Sequence, residues 1–243
     1  MRSIVQFASW TMLAALTACG SPAEEAKAVD TRAALVPVEN TGMHERNLEI
    51  ARDAKAHPDA QLVFLGDSIT QGWSEAGRST WELEFIGWKP LNLGVSGDRT
   101  EHVLWRLAQG EYDQLSPRVI VIMIGTNNTG HRMDPPADIA AGVKEILAQL
   151  HRRFPKTRLC LLSIFPRGET SEDPGRKNND AANALLAGVA RQAGVEWLDV
   201  SRAFLDAKGV LSKELMPDLL HPNTRGYEIW ASTLRDSLKR WMP

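Results

Sequence analysis

Five residues in this chain could together do nucleophilic acyl chemistry: Ser68, Gly97, Asn127, Asp218 and His221. Cleaving an acyl bond with a hydroxyl needs four things. They are the hydroxyl, a base to take its proton, a group to orient that base, and donors for the oxyanion that develops. Ser68 can supply the hydroxyl and His221 the base. Asp218 stands three residues before His221 and can reach the far imidazole nitrogen if the segment turns. The backbone N–H groups of Ser68 and Gly97 and the side-chain amide of Asn127 are the candidate donors. Each residue also has a plain structural reading. Ser68 can cap a helix, His221 before Pro222 can close a turn, and Gly125-Thr-Asn-Asn128 can be turn chemistry. Asp67, beside the candidate nucleophile, reads as structural.

What favours chemistry is where these residues fall among the elements. The run Gln61–Leu65 reads as a strand, followed by short strands at Lys89–Leu93, Arg118–Ile124, Leu159–Phe165 and Val195–Val200. The third is apolar on both faces and rich in β-branched residues, the mark of a central parallel strand. Helical periodicity fills the gaps at His44–Ala56, Thr100–Gln109, Ala137–Arg153, Arg176–Ala193 and Arg225–Trp241. Strand–helix alternation implies a parallel sheet covered on both faces. Ser68, Gly97 and Asn127 each follow a strand, and Asp218 and His221 lie between the last strand and the last helix. In a doubly wound sheet such positions converge along one edge. Asp98-Arg-Thr-Glu101 reads as a capping box, which would set the Gly97 N–H beside a helix N-terminus. Arg167–Asn179 reads as a polar loop that rims the site.

The constellation resembles the SGNH (GDSL-like) hydrolase superfamily, most of all the catalytic subunits of platelet-activating factor acetylhydrolases and their bacterial relatives. The resemblance runs from about His44 into the last helix. It is carried, in family order, by "HER", "LGDSITQGW", "LNLGVSGDRTEHVLWRL", "VIVIMIGTNN", "SIFPRGE" and "DLLHPNTRGYEIW". It implies a flavodoxin-like three-layer α/β/α sandwich around a five-stranded parallel sheet. It assigns the triad to Ser68, His221 and Asp218 and the oxyanion hole to Ser68, Gly97 and Asn127, with Gly94 as the competing glycine. It further implies that Ile69, Thr126 and Leu220 crowd the acyl pocket, so that short acyl groups are preferred. The implied function is a serine esterase acting on small-molecule or glycan acyl esters. Two alternatives stay open: an acyltransferase on the same site, and a non-catalytic glycan-binding protein. A homodimer is one assembly the resemblance leaves open.

The N-terminus departs from the cytosolic animal enzymes of that family. Met1-Arg-Ser is followed by an apolar stretch, Ile4–Leu16, too short to span a bilayer, and then by Leu16-Thr-Ala-Cys19. This resembles a bacterial lipobox. The expectation is a signal peptide over 1–18, lipid on Cys19 that anchors the protein to a membrane, a flexible tether over 19–40, and the hydrolase domain over 41–243. That places the domain in the bacterial cell envelope, on a periplasmic or extracellular face. The remaining cysteine, Cys160, lies in an apolar run and reads as a buried hydrophobe.

The 243 residues are 43% hydrophobic and 24% charged with a net charge of −2, the composition of a globular protein with no basic bias toward nucleic acid. His44, His57, His102, His131 and His151 lack metal-ligand spacing with carboxylates, so neither a metal nor another cofactor is expected. Trp73, Trp81, Trp88 and Trp105 read mainly as core residues rather than sugar-stacking ones.

Overall fold

The structure, a computed structural model, describes residues 32–242. The expected signal peptide, Cys19 and most of the tether lie outside them. Five parallel strands form one sheet: β1 Leu62–Gly66, β2 Pro90–Gly94, β3 Val119–Met123, β4 Arg158–Leu162 and β5 Glu196–Leu198. Their order across the sheet is β2-β1-β3-β4-β5. Eight α-helices accompany them among the described residues: α1 His44–Ala56, α2 Ser68–Gln71, α3 Arg78–Glu84, α4 Thr100–Ala108, α5 Thr126–Arg132, α6 Pro136–Arg153, α7 Pro174–Ala193 and α8 Thr224–Trp241.

Successive side chains of a strand point to opposite faces, and the core divides accordingly. Val63 and Leu65 of β1 pack with Ile120 and Ile122 of β3 beneath α1, α4, α6 and α7. Leu62 and Phe64 pack with Val119 and Val121 on the other face, beneath α8. The result is a three-layer α/β/α sandwich. The tryptophans serve mostly this second face. Trp73 and Trp230 are fully buried, their ring centroids 4.8 Å apart, and Phe64 lies 5.1 Å from Trp81. Burying such large rings contributes on the order of 2–3 kcal/mol each.

Three sequence expectations need correction. Residues 33–40, assigned to the tether, dock onto the domain. The Ala34 carbonyl accepts from Thr100 Oγ1 at 2.8 Å, and Asn40 Nδ2 donates to the Ser96 carbonyl at 3.0 Å. The segment has no apolar periodicity because its contacts are largely backbone and amide bonds. The polar loop beginning at Arg167 is shorter than expected, because α7 starts at Pro174. Asp173 caps it, its Oδ1 accepting from the Arg176 N–H at 3.0 Å. Pro at the first helical position is compatible with that start, but the polar run hid it. Finally, the capping partner of α4 is His102 and not Glu101. The Arg99 N–H donates to His102 Nδ1 at 3.1 Å, while Asp98 is drawn inward to Arg106.

Candidate active site

Ser68, Gly97 and Asn127 stand past the carboxyl ends of three adjacent strands, β1, β2 and β3. Ser68 is the first residue of α2, two residues past the end of β1. Its Oγ lies 2.9 Å from His221 Nε2. His221 Nδ1 lies 2.6 Å from Asp218 Oδ2. Asp218 Oδ1 in turn accepts from the backbone N–H groups of Leu220 (3.0 Å) and His221 (2.7 Å). A carboxylate accepts and does not donate, so Nδ1 carries the imidazole proton and Nε2 accepts from the serine hydroxyl. Burial opposes ionisation of Asp218. Its bonds to the His221 ring and to the backbone outweigh that and hold its carboxyl below the ordinary range. The turn that bends Asp218 back to His221 passes through Leu219 at φ 60°, a left-handed conformation unusual for leucine.

The two candidate glycines differ. Gly94 is packing material. Its own N–H donates to Asn92 Oδ1 at 2.9 Å, its carbonyl accepts from Arg46 Nε, and a side chain there would strike the backbone of Gln71. Gly97 adopts φ 73°, and a side chain there would meet nothing closer than 3.7 Å. No acceptor for its N–H is found among the described residues. Asn127, nearly buried at the head of α5, donates from Nδ2 to the Asp98 carbonyl at 3.0 Å. One N–H of the amide is thereby fixed and the other left to point elsewhere.

Two buried networks hold these loops. Under Gly97, Asp98 Oδ2 accepts from Arg106 Nε at 2.9 Å and Oδ1 accepts from Asn40 Nδ2 at 3.0 Å. Burial still pushes the Asp98 carboxyl upward against the pull of Arg106. Under Asn127, Asn128 Oδ1 accepts from the Thr100 N–H at 3.0 Å. Its Nδ2 donates to Thr100 Oγ1 and Asp134 Oδ2, both at 3.0 Å. Asn128 therefore staples the start of α5 to the start of α4. The sequence reading did not single out Asn128 or Arg106. The available signal is the Asn127-Asn128 doublet just after a strand.

Asp67 is structural in geometry. It is buried, and Oδ1 accepts from the Ile69 N–H at 3.0 Å. Burial pushes its carboxyl up to about 7. Of the residues implied to crowd the acyl group, Ile69 and Thr126 are 1% exposed and Leu220 is partly buried. The Ile69 carbonyl accepts from Tyr227 Oη at 2.7 Å, and Thr126 Oγ1 accepts from Asn179 and Arg167. No group of three or more metal-ligating side chains occurs among the described residues.

The sequence model of the GDSL-like Lipase/Acylhydrolase family matches residues 64–229. The human platelet-activating factor acetylhydrolase IB subunit alpha1 is 31% identical over 198 residues, 82% of each chain. Two solved structures share the fold. A GDSL-like lipase from Bacteroides thetaiotaomicron aligns with TM-score 0.66 and 18% identity, over 80% of this chain and 97% of that one. An acetylxylan esterase from Geobacillus stearothermophilus aligns with TM-score 0.61 and 19% identity, over 76% and 94%. With that extent of match, the chain belongs to the GDSL-like lipase/acylhydrolase family and is a carboxylic ester hydrolase.

Proposed function

We propose that the protein is a serine esterase that removes short, acetyl-type acyl groups through a Ser68–His221–Asp218 triad. The observation that carries this is the unbroken hydrogen-bonded chain from Ser68 Oγ through the imidazole to Asp218. Ser68 Oγ attacks the ester carbonyl while its proton passes to His221 Nε2. Asp218 stabilises the imidazolium that forms. The carbonyl oxygen, now negative, takes hydrogen bonds from the Ser68 and Gly97 N–H groups and from Asn127 Nδ2. On collapse the C–O bond breaks and His221 returns the proton to the departing alcohol. Water then attacks the acyl-serine, giving its proton to His221, and the acid leaves as Ser68 is restored. The tightly buried Ile69 and Thr126 support a small acyl group, as do the acetylhydrolase and acetylxylan esterase among the similar proteins.

The test is hydrolysis of p-nitrophenyl acetate by the purified domain and its Ser68→Ala variant. Loss of the triad serine costs about a million-fold in turnover where a triad operates. Retention of a tenth of the wild-type rate would remove Ser68 as nucleophile. Adding sugar acceptors measures transfer: acetylated sugar forming faster than free acetate would make the enzyme a transferase. The same reading anchors the domain in the bacterial envelope through lipid on Cys19. Cell fractionation of wild type and Cys19→Ser tests it, with the variant expected in the soluble fraction.

A further inference from the structure

A groove of about 490 Å³ opens beside Asp218 and Leu220, walled by Met133 and floored by Arg167. Arg167 lies between two glycines. A side chain at Gly130 would strike its Nη1, and one at Gly175 would come within 2.9 Å of its Nε. The slot leaves the half-buried guanidinium little freedom to rotate. One edge of it is in use: Nη1 donates to the Thr126 carbonyl at 2.8 Å. Nε and Nη2 make no hydrogen bond among the described residues.

The charges around it are already matched. Arg99 pairs with Glu101, and Arg132 pairs with Glu101 and Asp134. Arg176 is spent on the carbonyls of Arg167 and Gly168. On the acidic side, Asp218 is held by His221 and two backbone N–H groups, and Asp173 caps α7. Arg167 alone of these four arginines lines the groove, and it has neither a carboxylate in ion-pair range nor a full set of acceptors; Asp173, which lines the same groove, and Asp67 act on it only from farther away. A fork of two parallel N–H groups fits the paired oxygens of a carboxylate. A half-buried cation gains most from such a partner because little water competes.

We propose that Arg167 forms a carboxylate subsite, so that the preferred substrate is an ester that also carries a carboxylate, held through the free Nε/Nη2 edge. The inference rests on the esterase reading and names the substrate class for that site.

The experiment compares kcat/KM for neutral p-nitrophenyl acetate with two anionic esters. They are p-nitrophenyl hemisuccinate, with the carboxylate on the acyl side, and 4-acetoxybenzoate, with it on the alcohol side. After correction for intrinsic reactivity by the hydroxide rates, wild type is expected to favour one anionic ester by tenfold or more. Arg167→Ala should abolish that preference, and Arg167→Lys, which keeps the charge and loses the fork, should retain only part of it. Because Arg167 also braces Thr126, the ratio within each variant is the readout rather than the absolute rate. A wild-type ratio near one for both anionic esters overturns the subsite, as does a preference that survives in Arg167→Ala. No hydrolysis of any ester by wild type would defeat the esterase reading itself, a separate outcome.

Discussion

Asn127 donates its side-chain amide to the backbone carbonyl of Asp98 at 3.0 Å, which ties the loop after β3 to the loop after β2. The proposed oxyanion hole, assembled from these two loops, depends on that distance. Asn128, one residue on, makes the tie rigid through Thr100 and Asp134. Asn128→Ala should therefore lower kcat ten- to a hundredfold with KM little changed. It also leaves the buried Thr100 N–H without its acceptor, while Asp134 keeps Arg132 and the Thr100 hydroxyl keeps the Ala34 carbonyl, at a cost of about 1–3 kcal/mol. A double-mutant cycle separates the two effects. If Asn128 acts by positioning Asn127, adding Asn128→Ala to Asn127→Ala should cost little further turnover. Full additivity in kcat would make Asn128 merely structural.

Gly94 and Gly97 should respond in opposite ways to alanine. At Gly94 the new methyl meets the Gln71 backbone, which has no room to yield, so Gly94→Ala should be severely destabilised or fail to fold. At Gly97 the space is open and the strain is confined to the positive φ, about 1–2 kcal/mol. Gly97→Ala should fold, with a thermal midpoint a few degrees lower, and lose turnover as its N–H is re-aimed. Thermal melts and kcat on the two variants decide this. A stable, inactive Gly94→Ala beside a fully active Gly97→Ala would exchange their roles.

Much of this was legible in the sequence, for identifiable reasons. Helix α1 falls on its expected bounds because Ile50 and Ala54 mark a buried face among charged residues. Strand β3 is a continuous apolar run because both of its faces are covered. Helix α5 was invisible. Its seven residues, Thr-Asn-Asn-Thr-Gly-His-Arg, contain no aliphatic or aromatic core residue, and what it buries is polar. A period of apolar residues cannot reveal a helix held by amide and hydroxyl bonds. Helix α2 is one turn long, so no periodicity exists to find. Arg167 was legible only as a member of a polar loop, since its meaning depends on Gly130 and Gly175 closing around it from distant positions.

Asp67 should make stability fall with rising pH. Burial raises its folded-state pKa to about 7, with Asp98 adding repulsion, while the Ile69 N–H and His221 pull the other way. A raised acid binds its proton more tightly in the folded state than in the unfolded chain. Its stabilising contribution is therefore complete below the unfolded value of about 4 and is lost as pH rises through about 7. Asp67→Asn keeps an oxygen to accept from Ile69 and removes the titration. The variant should gain on wild type in chemical denaturation as pH goes from 5 to 8. A constant difference across that range would show that Asp67 does not titrate there.

Acyl length is the last expectation, and it follows from how the small end of the site is filled. Ile69 is buried and its backbone is held at the carbonyl by Tyr227, and the Thr126 hydroxyl is fixed by Asn179 and Arg167, so the Ile69 backbone and the Thr126 side chain do not shift without breaking a hydrogen bond. Leu220 is partly buried and is, of the three proposed wall residues, the one most able to give. Forcing extra methylenes against packed side chains costs about 1–3 kcal/mol. On that basis kcat/KM for p-nitrophenyl butyrate should fall roughly tenfold or more below acetate, since 1.4 kcal/mol is a factor of ten. Octanoate should be a poor substrate. Leu220→Ala should recover much of the butyrate rate while changing acetate little, because a methyl group does not reach the space vacated. If octanoate were preferred by wild type, the acyl chain would have to lie along the groove beside Arg167 instead. Leu220→Ala with unchanged chain-length dependence would remove Leu220 from the wall.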